Sequence, residues 1–274
     1  MESETVSVGV FDSGFGGLDI FREIVNQLPQ YSYLYFADSA RAPYGPRTKE
    51  EVLEFTKQGV EFLFAKGAHL VLLACNTSSS DALRIIQEIL LPCTYPDKKV
   101  LGVLVPAAEE SVRVSVTGKI GVIGTQQTIS SNSFNREIVK LRPDAQIYTQ
   151  ACPKLVPLIE QGDVDSDEMM NALREYILPL VAEKIDTLVL GCTHYGLIQK
   201  QIRKIVGEGI PIVRESEVVP RSLKNYLARH PEIHDTLSRT HRITFYTTDQ
   251  TDRFEKIGSQ FWGSEIRAEH ISLL

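Results

Sequence analysis

Seven short runs of apolar residues recur along the chain, and polar or glycine-containing turns follow them. Nearly every residue within a run is apolar, whereas a strand with one solvated face would alternate apolar and polar residues. This pattern is typical of parallel strands that are covered on both faces. The runs are VSVGVF (6–11), YLYFAD (33–38), LVLLA (70–74), VLGVLV (100–105), KIGVIG (119–124), TLVLG (187–191) and IPIVR (210–214).

Helical patterns lie between these runs. Thr48 and Glu51 have the spacing of a capping box that begins a helix, and Gly67 is placed to end it. A second helical pattern begins near Asp165 and Glu168 and keeps apolar residues on one face. The alternation of strands and helices predicts an α/β fold with mainly parallel sheets and right-handed crossovers.

The chain contains a repeat in which one apolar strand ends in a polar turn and a later strand ends in a cysteine. Asp12 and Cys75 hold these positions in the first half, and Thr125 and Cys192 hold them in the second. Two parallel sheets could share strand composition by chance. However, the whole chain has only four cysteines, and two of them stand at matching strand ends. We therefore predict two similar α/β halves.

The position of the two cysteines predicts a chemistry. In open parallel sheets the ligand lies outside the carboxyl ends of the strands. Cys75 and Cys192 both fall on strand-to-helix turns, where backbone N–H groups and the helix dipole can stabilise a thiolate. Two such turns that face each other across a cleft would present one thiol to each face of a small ligand. A racemase needs this arrangement, because one base removes the α-proton and an acid on the opposite face supplies another.

Five motifs extend over most of the chain: GVFDSGFGGL (9–18), ADSARAPYG (37–45), ACNTSS (74–79), GTQQT (124–128) and GCTHYGL (191–197). In content and order they resemble the glutamate racemase family, whose cofactor-independent members supply D-glutamate for bacterial peptidoglycan. The resemblance implies two α/β domains with the active site in the cleft between them. It implies a first domain at 1–99, a second domain at 100–213 and a C-terminal segment at 214–274 that returns to the first domain.

The same resemblance implies roles for individual residues. Cys75 and Cys192 would be the two acid/base thiols. Asp12 would assist Cys75, and His194 would assist Cys192, with Glu160 near that histidine. Hydroxyls, amides and backbone N–H groups would hold the carboxylates and the ammonium group of an amino acid. The implied substrate-binding residues are Asp12, Ser13, Tyr44, Gly45, Asn76, Thr77, Thr193 and His194.

Composition limits the partners and the compartment. The net charge of −6 argues against nucleic acid as a partner, and no apolar run approaches the ~18 residues of a membrane span. The N-terminus has acidic residues before its first apolar run, unlike a secretory signal, and the cysteines form no disulfide framework. We therefore expect a cytoplasmic enzyme that acts on a small-molecule amino acid. The sequence does not fix the oligomeric state, and a homodimer is one assembly that it allows.

No cofactor and no metal ion are expected. Cys192 and His194 could contribute two ligands to zinc, but no second close pair completes a four-ligand structural site. The glycines at 14, 16 and 17 do not match the dinucleotide-binding fingerprint. Cys93 and Cys152 are interpreted as packing residues, because cysteine is among the residue types that are most often buried.

Two alternatives stay open. The first is a racemase of the same superfamily that acts on aspartate or another amino acid. The second is a non-catalytic α/β protein that binds an acidic ligand, although binding alone requires no pair of thiols. Three positions also depart from the family pattern: Gly196 stands where proline is more common, Glu215 where aspartate is usual, and Phe134 where tyrosine is frequent.

Overall fold

The computed structural model describes residues 6–273, and its strands form two sheets with helices around them. Residues 1–5, which belong to the segment judged unlike a secretory signal, and residue 274 lie outside the described residues. The strands are β1 (Ser7–Asp12), β2 (Tyr33–Ala37), β3 (Ala68–Leu73), β4 (Lys99–Gly102), β5 (Lys119–Gly124), β6 (Gln146–Ala151), β7 (Thr187–Gly191), β8 (Ile212–Val213), β9 (Ile243–Thr247) and β10 (Ala268–His270).

The α-helices are α1 (Gly17–Gln27), α2 (Lys49–Ala65), α3 (Asn76–Asp81), α4 (Leu83–Ile85), α5 (Leu91–Thr94), α6 (Leu104–Val114), α7 (Gln126–Ser130), α8 (Ser133–Leu141), α9 (Leu155–Gln161), α10 (Asp167–Ala182), α11 (Gln199–Val206), α12 (Glu215–Arg229), α13 (Pro231–His234) and α14 (Thr251–Trp262). A π-helical segment, Ile86–Leu90, joins α4 to α5. Short 3-10 helices occupy Ser39–Arg41 and Thr193–Ile198. Most of the helices follow a strand and lead to the next one, as expected for parallel strands joined by crossovers.

The two sheets repeat one strand order. Within the described chain the first sheet runs β10-β9-β2-β1-β3-β4 and the second runs β6-β5-β7-β8. Every strand pairing among these residues is parallel. Without β9 and β10 at one end, the first sheet has the order β2-β1-β3-β4, which corresponds strand by strand to the second. The predicted α/β fold of two similar halves is confirmed.

This order places the polar turns and the cysteine turns together. In each half the first strand lies between the second and the third, because the chain crosses to one side of the first strand and then back to its other side. The carboxyl ends of the first and third strands therefore flank the crevice where α/β sheets bind ligands. Asp12 ends β1 and Cys75 follows β3, while Thr125 follows β5 and Cys192 follows β7.

Three strands were missed, and two were predicted too long. β6, β9 and β10 were not predicted, because they are short or half-exposed and lack a continuous apolar run; β6 and β10 are also edge strands. The predicted strand at 210–214 is reduced to the two residues of β8, Ile212–Val213. The predicted strand at 100–105 is wrong beyond Gly102, since β4 ends there and α6 begins at Leu104. The apolar residues after Gly102 include Leu104 and Ala107, which are buried on one face of that helix.

The C-terminal part of the chain contacts the first half. β9 pairs with β2, β10 pairs with β9, and α12 packs against α1 and α6. The predicted boundary between 99 and 100 falls inside β4, a strand of the first sheet, whereas β8 ends at Val213. The division into domains stays a prediction. One hydrophobic cluster contains core residues of both sheets, among them Val10 of β1 and Val122 of β5.

The predicted capping box is present at the start of α2. The hydroxyl of Thr48 accepts a hydrogen bond from the Glu51 N–H at 3.2 Å, and the Glu51 carboxylate accepts one from the Thr48 N–H at 2.9 Å. Gly67, directly after the last turn, has a φ of +97° that favours glycine. The second predicted helix, α10, begins at Asp167 after the N-cap Ser166.

Replacing Thr48 with alanine is expected to reduce the free energy of unfolding by about 1 kcal/mol, because an N–H of the first helical turn loses its acceptor. Urea unfolding followed by circular dichroism measures the change. Thr94→Ala is the control, since Thr94 is exposed at the C-terminal end of α5, where no such donor needs an acceptor. Equal losses in the two variants would contradict the capping role.

Candidate active site

A narrow cavity of about 30 Å³ lies between the two halves, at the carboxyl ends of their strands. Its lining residues are Ser13, Gly14, Ala42, Pro43, Tyr44, Gly45, Cys75, Asn76 and Thr77 from the first half, with Thr125, Val156, Glu160, Cys192, Thr193 and His194 from the second. It brings together the predicted site residues apart from Asp12. Asp12 is buried next to the lining residue Ser13.

Size alone does not identify the site. A larger cavity of about 260 Å³ lies beside β4, α6 and α12, and many of its lining residues are apolar, such as Leu72, Leu101 and Val219. The narrow cavity contains both cysteine turns and a closely spaced thiol, imidazole and carboxylate, those of Cys192, His194 and Glu160. The narrow cavity is therefore the candidate active site.

Both thiols are buried in the cleft. Burial raises the pKa of the Cys75 thiol, and the charge of Asp12 raises it further, although the Ser13 hydroxyl lies 3.2 Å from the sulfur and opposes this effect. Burial also raises the pKa of the Cys192 thiol well above its usual range, with smaller contributions from the charges of Cys75 and Glu215. Both cysteines are therefore protonated at neutral pH, and either one needs help to become a base.

Cys192 belongs to a chain of three groups. Its sulfur lies 3.9 Å from Nδ1 of His194, and Nε2 of His194 lies 3.0 Å from Oε1 of Glu160. When Nε2 carries the proton and donates to Glu160, Nδ1 can accept the thiol proton. Glu160 then stabilises the imidazolium that forms. This arrangement gives the second half a pathway for moving a proton to and from its thiol.

Asp12 is held differently. Its Oδ2 accepts hydrogen bonds from the N–H groups of Gly14 at 3.1 Å and Gly17 at 3.0 Å, and Tyr35 donates a weaker one at 3.4 Å. Burial raises its pKa, although the charge of His194 and these N–H groups oppose the rise. Its Oδ1 is buried with no hydrogen-bond partner. Asp12 acts on Cys75 through its charge, while the hydroxyl of Ser13 is the group beside that sulfur.

The loop that carries Tyr44 and Gly45 closes one side of the cavity. The Tyr44 hydroxyl donates a short hydrogen bond to Asp38, which also accepts from Arg41 and Thr248. Tyr44 therefore presents its buried ring and backbone to the cavity while its hydroxyl is engaged. Asp38 was not identified from the sequence. Its place in the motif ADSARAPYG could have indicated it, because a buried aspartate needs hydrogen-bond donors from neighbouring residues.

The two halves touch closely around the cavity. The hydroxyls of Thr77 and Thr125 lie 3.2 Å apart across the cleft. A Cβ atom on Gly16 would lie 2.4 Å from the Thr193 hydroxyl and 2.5 Å from Nδ1 of His194, so only glycine fits there. Gly45 approaches Thr125 nearly as closely, with 3.1 Å between a Cβ on that glycine and the Thr125 Cβ.

The structure shows which groups surround the three residues that depart from the family pattern. A Cβ on Gly196 would meet Asp19 Oδ2 at 2.7 Å, so the carboxylate of α1 occupies the space of a side chain. Phe134 is buried against Gly191, where a Cβ would meet its ring at 2.9 Å. Glu215 is buried and accepts a hydrogen bond from Asn76 at 2.8 Å. This link was missed, since no sequence pattern connects positions so far apart.

The cysteines outside the cavity differ from each other. Cys152 is buried, as expected for a packing residue, and burial raises the pKa of its thiol. Cys93 is exposed on α5, so its interpretation as a packing residue is wrong. It lies on the solvent side of a short helix whose buried residue is Leu91.

Comparison with known proteins agrees with this geometry. A family model described as Asp/Glu/Hydantoin racemase matches residues 8–218. The chain belongs to this family. The racemase is 38% identical over 267 residues to the glutamate racemase of Streptococcus gordonii. The aligned region covers 97% of this chain and 98% of that relative.

Solved structures resemble the racemase over nearly its whole length. The glutamate racemase RacE1 of Bacillus anthracis is 36% identical, with a TM-score of 0.90 and 99% of each chain covered. The glutamate racemase of Francisella tularensis in complex with D-glutamate is 30% identical, with a TM-score of 0.88 and the same coverage. These likenesses confirm the predicted family and the prediction that the protein is an enzyme, a racemase.

Neither a membrane-spanning helix nor a cluster of metal ligands is present in the described part of the chain. Among residues 6–273, no helix has the length and apolar character needed to cross a membrane. No group of three or more His, Cys, Asp or Glu side chains in the same range is arranged to hold a metal ion.

Replacing Gly16 with alanine is expected to lower kcat/KM about tenfold or more, because the new methyl group would push the loop after β1 away from Thr193 and His194. Overpacking of this kind costs about 1–3 kcal/mol. Racemisation kinetics with a circular dichroism assay measure the loss. Gly209→Ala is the matched control, since nothing lies within 4 Å of its Cβ position. Unchanged kinetics in Gly16→Ala would show that the close approach of the halves is unnecessary.

Proposed function

We propose that this racemase interconverts L-glutamate and D-glutamate by proton transfer between the α-carbon and two thiols, Cys75 and Cys192. The observation that carries the proposal is that one cavity is lined by both thiols, one from the end of each repeated sheet. The glutamate racemases to which the chain is similar support glutamate as the substrate.

In one direction the Cys192 thiolate removes the α-proton of L-glutamate. The C–H bond breaks, an S–H bond forms, and the electron pair is delocalised into the α-carboxylate as the carbon becomes planar. The Cys75 thiol then donates its proton to the opposite face, which gives D-glutamate and leaves a thiolate. The reverse reaction exchanges the roles of the two cysteines. The assignment of Cys192 to L-glutamate follows the family resemblance.

The thiolate must form inside a site that raises thiol pKa values. The ammonium group of a bound amino acid brings a positive charge, which favours the thiolate over the thiol. On the second side, His194 takes the Cys192 proton and Glu160 stabilises the resulting charge. On the first side, Asp12 offers its unpartnered Oδ1 to the ammonium group. Cys192 thus has a proton acceptor beside it, whereas Asp12 assists the reaction at Cys75 by holding the ammonium group.

The carboxylates of the substrate need donors that do not require an arginine. The hydroxyls of Ser13, Thr77 and Thr193, the amide of Asn76 and backbone N–H groups such as that of Gly45 supply them. Such donors also stabilise the negative charge that develops on the α-carboxylate when the proton leaves. Since the α-proton is a very weak acid, this stabilisation is the larger part of the catalytic task.

The size of the cavity requires movement of the halves. A volume of about 30 Å³ has room for about two water molecules, which is far less than glutamate occupies. We propose that the halves separate to admit the substrate and close around it, as lids and domains do in many enzymes. The contact between Thr77 and Thr125 breaks on opening.

We further propose that the enzyme supplies D-glutamate for peptidoglycan and works in the cytoplasm. The family resemblance supports the first part. The second is supported by four cysteines that are all free, as thiols are in a reducing compartment. A homodimer stays a prediction.

Incubation of the purified protein with L-Glu, D-Glu, L-Asp or D-Asp, without any added cofactor, tests the substrate. Chiral chromatography is expected to show that each glutamate enantiomer becomes the racemate while both aspartates stay unchanged. Comparable turnover of aspartate would favour the alternative amino-acid racemase. No turnover of any of the four, with binding of glutamate detected by calorimetry, would favour the non-catalytic binding protein.

The Cys75→Ser and Cys192→Ser variants test the two-thiol mechanism, because a serine hydroxyl is a far weaker acid than a thiol. Both are expected to lose racemisation, since every turnover uses both groups. Elimination of HCl from 3-chloroglutamate needs only one base: the α-proton goes to the thiolate, a double bond forms and chloride leaves. The product hydrolyses to 2-oxoglutarate and ammonia, which coupled assays detect.

Cys75→Ser is expected to retain elimination from the analogue of L configuration and to lose it with the D form. Cys192→Ser is expected to show the opposite preference. Cys152→Ser is the control, since that buried cysteine lies outside the cavity. Racemisation at wild-type rates in either cavity variant would refute the mechanism.

A further inference from the structure

Glu215 connects the two halves next to the site. It is the first residue of α12, directly after the last strand of the second sheet, yet its Oε2 accepts a hydrogen bond from Nδ2 of Asn76 at 2.8 Å. Asn76 follows Cys75 on the cysteine turn of the first half. Both side chains are buried, with 4% of Glu215 and 3% of Asn76 exposed. This one contact therefore joins the second half to a lining residue of the cavity.

The surroundings of Glu215 contain few positive charges that could balance a carboxylate. The neighbouring Arg214 points its guanidinium to Gln199, Ser216 and, at 3.6 Å, Asp19. The titratable and charged groups that face this region from the packed elements are Asp12 of β1, Cys75 before α3, Cys192 and His194 of the second cysteine turn, Asp19 and Arg22 of α1, and Arg214 and Glu217 of its own segment.

Burial of the pair, with one carboxyl oxygen lacking a hydrogen-bond donor, favours the neutral form of Glu215. Asn76 Oδ1 and Glu215 Oε1 are both buried without a hydrogen-bond partner. A carboxylate would leave both oxygens as bare acceptors, whereas a carboxylic acid turns one oxygen of Glu215 into a donor. In agreement, burial raises the pKa of Glu215 to about 8; the hydrogen bond from Asn76 opposes this rise, and the charge of Asp12 adds a smaller contribution to it.

We propose that Glu215 is a positioning residue whose neutral carboxyl group joins the two halves and fixes the Asn76 amide beside Cys75. Glu215 does not line the cavity and acts through Asn76. The proposal rests on the racemase function proposed above and adds to it a residue that determines the pH range of activity.

Ionisation of Glu215 has a predictable effect on the chemistry. The carboxylate would add a negative charge near Cys192, whose pKa it raises, and near Asp12. The thiolate of Cys192 would then form less readily, and the Asn76 link would carry an unbalanced buried charge. We therefore expect wild-type activity to decline above pH 8 in part because Glu215 loses its proton.

The sign of the stability effect follows from the same shift. The pKa of Glu215 is about 8 in the folded protein and near 4.5 in an unfolded chain, so the folded state holds the proton over this range. The contribution of Glu215 to the free energy of unfolding is fully present below pH 4.5 and falls as the pH rises toward 8. Glutamine cannot titrate. The stability of Glu215→Gln relative to the wild type should therefore increase between pH 5 and 8 and become constant above that range.

The experiment compares Glu215→Gln, Glu215→Ala and the control Glu217→Gln, whose side chain is 57% exposed two residues further along the same helix. Glu215→Gln keeps the acceptor for Asn76 and should racemise glutamate within about twofold of the wild type at pH 7. Its activity relative to the wild type should rise severalfold between pH 7 and pH 9. Glu215→Ala should raise KM about tenfold, a change of about 1.4 kcal/mol. Glu217→Gln should follow the wild type throughout.

Two results would overturn the proposal: equal loss at pH 7 in Glu215→Gln and Glu215→Ala, or a ratio of Glu215→Gln to wild-type activity that does not change with pH. Thermal unfolding across pH 5 to 9 gives the second readout, and a pH-independent difference in Tm would also overturn it. If wild type and Glu217→Gln both failed to racemise glutamate, the proposed function would fail instead. The unfolding series would still test the neutral carboxyl group.

Discussion

Parallel strand pairing is the constraint on which the site depends. When every strand in a sheet runs the same way, all the turns that follow the strands emerge at one edge. The repeated order of the two sheets places the turn after the first strand beside the turn after the third, in each half. Two such edges that face each other bring four turns together. Cys75 and Cys192 occupy one turn of each pair, so the proposed two-thiol mechanism has a counterpart in the symmetry of the fold.

Burial then creates a conflict that the site has to resolve. A dry cleft strengthens every interaction between the protein and a charged intermediate. The same dryness raises the pKa values of Cys75 and Cys192, so the two thiols hold their protons. In the proposed mechanism the two halves resolve this conflict differently. The second half would use an imidazole and a carboxylate, whereas the first would use a hydroxyl and an aspartate anchored by backbone N–H groups.

Much of this could be predicted from the sequence because the relevant signals are local. Continuous apolar runs identified the central strands, and the capping box identified the start of α2. The family resemblance implied one site for Cys75, Cys192, His194 and Glu160, and all four line one cavity. Edge strands such as β6 escaped detection, since a half-exposed strand has no continuous apolar run. The link between Asn76 and Glu215 escaped for another reason: it depends on how two distant segments pack, and a buried carboxyl group looks like a surface one in a sequence.

The shared hydrophobic cluster limits how this molecule can move and unfold. Because Val10 of the first sheet and Val122 of the second belong to one continuous core, the halves are not independent units joined only by a linker. Pulling them fully apart would expose that core to water, at a large cost in free energy. Motions that admit a ligand must therefore be shallow hinge or sliding displacements at the rim, with the interior intact. For the same reason the halves should melt together in a single cooperative transition, even though each repeats the strand order of the other.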